Sequence, residues 1–225
     1  MARISRSNLF LEPAAAEAVK ARVSALEAAS GVEVVTAVIA RADSYPEAPW
    51  KAFALGASLA ALAVAALAFA EPGWDTLTAV IETAVAVLAA GGLVALGTVW
   101  IPSLAAVFVP AERRDAEVRQ YAQALFLEQG LHRTRHRDGI LVLVSLFEHR
   151  VVVLADRGVS DKVARTEFDT VVAAVTGALS SASLVDALLT GLDRLQGLLL
   201  QHGFHARAGD TNELPDGVIQ QRGST

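Results

Sequence analysis

Two long apolar stretches restrict what this chain can fold into more than any other feature. Residues 52–70 read AFALGASLAALAVAALAFA, with no ionisable side chain. A helix rises about 1.5 Å per residue, so this stretch covers about 28 Å, close to the hydrocarbon thickness of a bilayer, about 30 Å. The second stretch, 77–101, carries one carboxylate, Glu82, near its start and stops at Pro102, which a helix interior does not tolerate. Between them, Glu71-Pro72-Gly73-Trp74-Asp75-Thr76 holds a Pro-Gly turn signal. Six residues allow only an antiparallel pair. Trp50, Trp74 and Trp100 stand at the segment edges, where interfacial aromatic belts belong. The competing reading is a hairpin buried in a soluble protein. Two helices apolar on all sides need a large surround, and the rest of this chain is too short to supply one. A transmembrane helical hairpin is therefore expected over residues 51–102.

The flanking charges give the hairpin an orientation. Lys51 precedes the first helix and Arg113, Arg114 and Arg119 follow the second, while the connecting loop has only acidic charge. By the positive-inside rule both termini are expected to be cytoplasmic, in a bacterial inner membrane crossed twice. Glu82 then lies near the outer face, where a carboxylate snorkels to water. The small residues Gly56, Ala57, Ser58, Gly91, Gly92 and Gly97 fit close packing, either of the two helices or of protomers in a homo-oligomer.

Outside this window the composition is that of an α/β protein. The net charge of −5 argues against a nucleic-acid partner, because neutralising phosphates needs a basic surface. The absence of cysteine removes disulfides, thiolate metal sites and a cysteine nucleophile. The first ten residues carry two arginines with no apolar run behind them, which is not a cleavable signal.

The remaining elements follow from periodicity. Residues 13–29 read as a helix opened by Pro13, with Val19, Val23 and Leu26 at helical spacing, closed by Ser30-Gly31. Residues 32–40 (VEVVTAVIA) are β-branched and continuous, as in a buried strand. After the hairpin comes a helix over 112–130, then a basic loop, His132-Arg133-Thr134-Arg135-His136-Arg137-Asp138-Gly139. Two strands over 140–147 and 150–155 are joined through Glu148-His149, short enough only for a hairpin turn. One helix to about residue 180 and another over 184–202 follow. The stretch 206–225 is polar and expected to be loosely held. Strand, crossover helix and strand favour a right-handed parallel pair, and strands apolar on both faces imply helices on both. The expected fold is α/β: a three-layer αβα sandwich with a mixed sheet, interrupted by the hairpin. Its first part is 1–50, its second 103–205, and 206–225 forms a tail.

This order of elements carries a resemblance. Residues 130–135 (GLHRTR), 139–159 (GILVLVSLFEHRVVVLADRGV), the first strand 30–36 (SGVEVVT) and the tail 209–216 (GDTNELPD) resemble the TPM domain, named for thylakoid-lumen, photosystem II-repair and receptor-modulating members. The inserted hairpin is similar to the bacterial membrane-bound branch of that family. The resemblance implies an α/β sandwich. It also implies a choice among reported family roles: acid phosphatase activity, binding of a divalent cation such as calcium, or action through protein partners.

The topology places the candidate chemistry. The first strand ends shortly before the hairpin, and the helix after the hairpin carries the chain back to the opposite end of the sheet. Glu33, the 132–138 loop and Asp156-Arg157 are thus expected on one rim, distal from the membrane, with Glu148 and His149 at the proximal end near headgroups. On the rim, Asp138, Asp156 and Arg157 are the candidate catalytic residues. Glu33, Asp138 and Asp156 offer oxygen ligands to a hard cation. Arg133, Arg135 and Arg137 suit a phosphate. The competing reading is a solvated loop with ordinary ion pairs. His132 and His136 are four apart, but outside a helix that spacing has no meaning. His202 and His205 sit where they meet the last carbonyls of a helix. There is no HExxH, P-loop, GxSxG or dinucleotide fingerprint. The sequence therefore favours a membrane-anchored module that binds or assembles a membrane or envelope protein, with the lipid bilayer as its other partner. The alternative is a phosphatase-like hydrolase working at the rim.

Overall fold

The most apolar stretches outside the hairpin become the two central strands of a sheet. The computed structural model describes residues 10–70, 77–207 and 212–223. The chain divides into two compact units, residues 1–43 with 115–225, and residues 44–114. In the first, β1 (Val34–Arg41), β2 (Ile140–Ser145), β3 (Arg150–Ala155) and β4 (Ile219–Gly223) form one sheet in the order β3-β2-β1-β4. β1 and β2 are parallel, with Val34 opposite Ile140. β2 and β3 form the expected antiparallel hairpin, with Ile140 opposite Ala155.

Alternation of side chains explains why both faces are buried. Val34, Val38, Ile140, Val142 and Val144 point to one face and pack under α1 (Pro13–Ser30), α7 (Arg165–Leu179) and α8 (Leu184–Gln201). Val35, Ala37, Ile39, Leu141 and Leu143 point to the other, under Val118, Ala122 and Leu125 of α5 (Ala111–Glu128). The fold is the mixed-sheet α/β sandwich. Helix ends are set by local chemistry. Gly31 closes α1 in the left-handed region at φ 66°, and its N–H donates to the Glu27 carbonyl at 2.7 Å. Ser183 and Asp186 cap α8 reciprocally.

The helix expected to end near residue 180 is α7, and the stretch leading into it holds a short turn of helix, α6 (Arg157–Ser160); the Ala164 N–H between them donates to the Glu167 carboxylate at 3.0 Å. One expectation is corrected. The polar stretch after residue 206 contains β4, which runs parallel to β1 with Ala37 opposite Ile219. Its sequence, IQQRG, has no strand-like alternation. Its glutamines are held individually instead. The Gln220 side-chain oxygen accepts the N–H groups of Phe10 and Leu11 at 2.8 and 2.9 Å, and the Tyr121 hydroxyl donates to the Gln221 side chain at 2.7 Å.

The second unit contains α2 (Glu47–Ala70), α3 (Leu77–Trp100) and α4 (Pro102–Val107). The first two are 24 residues each, long and apolar enough to cross a membrane. Only 11% and 6% of their most apolar windows are buried within the chain, unlike core helices of a soluble protein. They meet where each lacks a side chain: a Cβ on Gly56 would lie 2.9 Å from Val94, and one on Gly91 2.8 Å from the Phe53 ring. These glycines are therefore used within the pair. The Lys51 ammonium donates to the Phe108 carbonyl at 3.2 Å and Arg113 pairs with Glu47 at 2.7 Å. The expected turn over 71–76, with Trp74, lies outside the described residues.

Candidate functional site

Sheet direction decides which loops meet. The starts of β1 and β2 and the end of β3 share one end of the sheet, so Glu33, Asp138 and Asp156 share one rim. All three are buried there.

Asp156 is bound by the loop before β2. Arg137 adopts the left-handed conformation, φ 56°, and its guanidinium donates to both Asp156 oxygens, at 2.7 and 3.1 Å. This is the bidentate fork that suits a carboxylate. Asp156 also caps α6 by accepting the Arg157 N–H at 2.8 Å, and its hydrogen bond holds the Arg137 guanidinium above its ordinary range. Gly158 closes the arrangement. Its N–H donates to the Arg137 carbonyl at 2.7 Å, and a Cβ there would lie 2.4 Å from the His136 carbonyl oxygen. The Asp138 N–H donates to Thr134 Oγ1 at 3.1 Å, which shapes the loop from within.

Glu33 has a different partner. Its two oxygens accept the N–H groups of Glu213 and Leu214, each at 3.1 Å. The tail segment before β4 is therefore strapped onto the start of β1. Burial pushes the Glu33 carboxyl upward, while the two amides oppose the rise. The Arg135 N–H donates to the Glu213 carboxylate at 3.1 Å and fastens the basic loop to the same strap. The three arginines of the loop do not converge. Arg137 is on Asp156, and the Arg133 Nε donates to His132 at 3.3 Å. Arg157 is also exposed on the rim, its side chain 81% accessible and paired with Asp161 at 3.4 Å. Among the described residues no three carboxylates or imidazoles converge as a metal-ligand set. A cation at Asp156 would compete with Arg137, and one at Glu33 with two main-chain N–H groups.

Sequence reasoning missed a neighbouring carboxyl. Glu27, in the last turn of α1, accepts the Val34 N–H at 2.8 Å, and its other oxygen is buried with no hydrogen-bond partner. Burial, with smaller contributions from Glu33 and Asp216, pushes its pKa up to about 8 against the opposing Val34 bond. Asp216 in turn accepts from the Ser24 hydroxyl and the Asn212 amide. These residues border a hollow of about 390 Å³ lined by Ser24, Glu27, Gly31, Glu33, Arg207 and Asn212. The one sequence signal is the position of Glu27 a turn before a helix-ending glycine. From there a side chain reaches the first N–H of the following strand.

Residues 98–198 match the family model described as TPM domain. Over that span the chain is similar to the TPM domain family. The matched span includes β2, β3 and the Arg137–Asp156 pair, while β1, the Glu27–Glu33 pair and β4 lie outside it. A similar fold is seen in a solved structure, the NMR structure of BA42 protein from the psychrophilic bacteria Bizionia argentinensis sp. nov. It superposes with a TM-score of 0.55 at 14% identity, covering 98% of this chain and 99% of that one. No curated protein matches the sequence.

At the far end of the sheet, Glu148 lies in the turn between β2 and β3, as expected. It is fully buried. One oxygen accepts the Ala42 N–H at 2.8 Å and the other the Ser145 hydroxyl. Its neighbour His149 takes φ 52° in the turn.

Proposed function

We propose that this protein is a membrane-anchored TPM module that binds or helps assemble a membrane or envelope protein. The carrying observation is the engagement of the rim. Asp156 is forked by Arg137 and caps a helix, and both oxygens of Glu33 hold main-chain N–H groups. These carboxylates stabilise loops and a strap, which is the work of a binding scaffold. The anchor is the pair α2 and α3, whose apolar surface is left uncovered by the rest of the chain and matches the bilayer in length. The lysine and arginine distribution supports both termini lying on the cytoplasmic side of a bacterial inner membrane. A reporter fused after residue 225 and another within 71–76 test this: a C-terminus on the outer side refutes it.

A second reading has one observation in its favour. Arg157 is exposed beside Gly158, Arg137 and Asp161 around a hollow of about 360 Å³, where an arginine can hold a phosphate. On this reading the protein is a phosphatase-like hydrolase. Hydrolysis of para-nitrophenyl phosphate by the purified chain, with and without calcium, separates the two. Turnover lost in Asp138→Ala and Asp156→Ala establishes the hydrolase and overturns the scaffold. No turnover under either condition removes it.

A further inference from the structure

The two edges of the sheet are built differently. β4 is a polar edge, IQQRG, with its glutamine side chains committed and its last residue in the left-handed region at φ 80°. β3 is the other edge. Between Arg150 and Asp156 it reads VVVLA, with no charge, proline or glycine. Edge strands are ordinarily blunted by such residues, because an open ladder templates pairing with another chain. β3 has no such protection, and among the described residues no further strand pairs with it.

The hydrogen-bond phase of this edge is fixed. The Asp156 N–H donates to the Gly139 carbonyl at 2.9 Å, so Leu154 and Val152 also turn their main-chain groups toward β2. In an antiparallel ladder the alternate residues turn outward. The N–H and C=O groups of Val151, Val153 and Ala155 therefore face away from the sheet. They form the floor of a groove of about 410 Å³. One wall is α5, with Arg119 and Gln123. The other is α7, with Arg165, Phe168 and Asp169.

Charge selects the occupant. Arg119 and Arg165 are exposed, and neither makes an ion pair among the described residues. Asp169 is the one carboxylate in the lining, so the groove is locally basic in a chain of net charge −5. We propose that the β3 edge takes up an extended peptide segment of a partner protein by strand addition, an apolar run with carboxylates placed to meet Arg119 and Arg165. Main-chain bonds supply the pairing and the alternating side chains meet one wall each. This rests on the binding-module reading and gives that partner a chemistry.

The test uses the full chain in lipid nanodiscs and two ten-residue probes. One alternates valine and threonine between paired glutamates, and the other carries lysines in place of the glutamates. On saturation with the acidic probe, hydrogen exchange at the amides of Val151, Val153 and Ala155 is expected to slow at least about tenfold, with the β4 amides unchanged. The lysine probe binds more weakly. Arg119→Glu and Arg165→Glu, both exposed and outside the core, each weaken the acidic probe about fivefold. Unchanged exchange at the three amides, or equal binding of both probes, overturns the proposal. Protection that rises with protein concentration without any probe also overturns it, since a second copy would then occupy the edge. Photo-crosslinkers placed at residues 153 and 157 in native membranes keep the two readings apart. Crosslinks from 157 alone sink the edge and leave the binding module standing, and crosslinks from neither sink both.

Discussion

Glu148 offers the sharpest test of the physical account, because its environment is closed. The side chain is fully buried, as are its partners Ser145 and Ala42. Substitution by alanine removes the acceptor for the Ala42 N–H at 2.8 Å and for the Ser145 hydroxyl. Each buried donor left without its partner costs about 1–3 kcal/mol, and the vacated volume adds a cavity term. Glu148→Ala is therefore expected to lose about 3–5 kcal/mol, a large part of a domain's stability of about 5–15 kcal/mol. Glu148→Gln keeps one oxygen for Ala42 and turns an amide toward Ser145 Oγ, which then accepts, so it loses only about 1 kcal/mol. Tryptophan fluorescence is blind to this change, since Trp50, Trp74 and Trp100 all lie in the 44–114 unit. Native-state hydrogen exchange at Leu141 and Leu143, in the buried β2, reports unfolding of the right unit. A loss below about 1 kcal/mol in Glu148→Ala, or equal losses in both variants, refutes the reasoning.

Three further outcomes follow from the rim. The Glu27 carboxyl is raised from 4.5 to about 8, so between those values the unfolded chain releases a proton that the folded one keeps. Stability then falls as pH rises through that window and is flat below it; in Glu27→Gln, melting temperatures measured from pH 4 to 9 should lose this slope and exceed the parent's above pH 8. Gly158→Ala forces a methyl against the carbonyl oxygens of His136 and Arg137, at 2.4 and 2.7 Å, and should cost about 1–3 kcal/mol; a denaturant midpoint unchanged from the parent's contradicts that close approach. Glu33→Ala frees the Glu213 and Leu214 amides, so limited proteolysis should cut the 212–218 strap faster in the variant, and equal rates would show that β4 pairing alone holds it.

Much of the scaffold was legible in the residues themselves. β3 falls at 150–155 as read, and α3 runs from Leu77 to Trp100 against an expected 77–101. Both are strong local signals, a valine-rich apolar run and a long apolar helix. β4 was not legible, because IQQRG is a strand only through the β1 edge beside it and the partners of its two glutamines. The split between α6 and α7 depends on a Glu167 side chain reaching back to Ala164, which helical periodicity does not encode.

The site divides the same way. Composition and order alone determined that two helices are long and strongly apolar, that a mixed α/β sheet surrounds their insertion, and that Glu33, Asp138 and Asp156 share one end of it. Those properties depend on nearest-neighbour preferences and strand direction. Only the tertiary structure decided what the carboxylates do: Asp156 faces Arg137, Glu33 holds the strap, Glu27 keeps its proton, and Glu148 is buried within its turn. A carboxylate's role depends on which donors come within about 3 Å of it, and here those donors are 1 to 181 residues away along the chain.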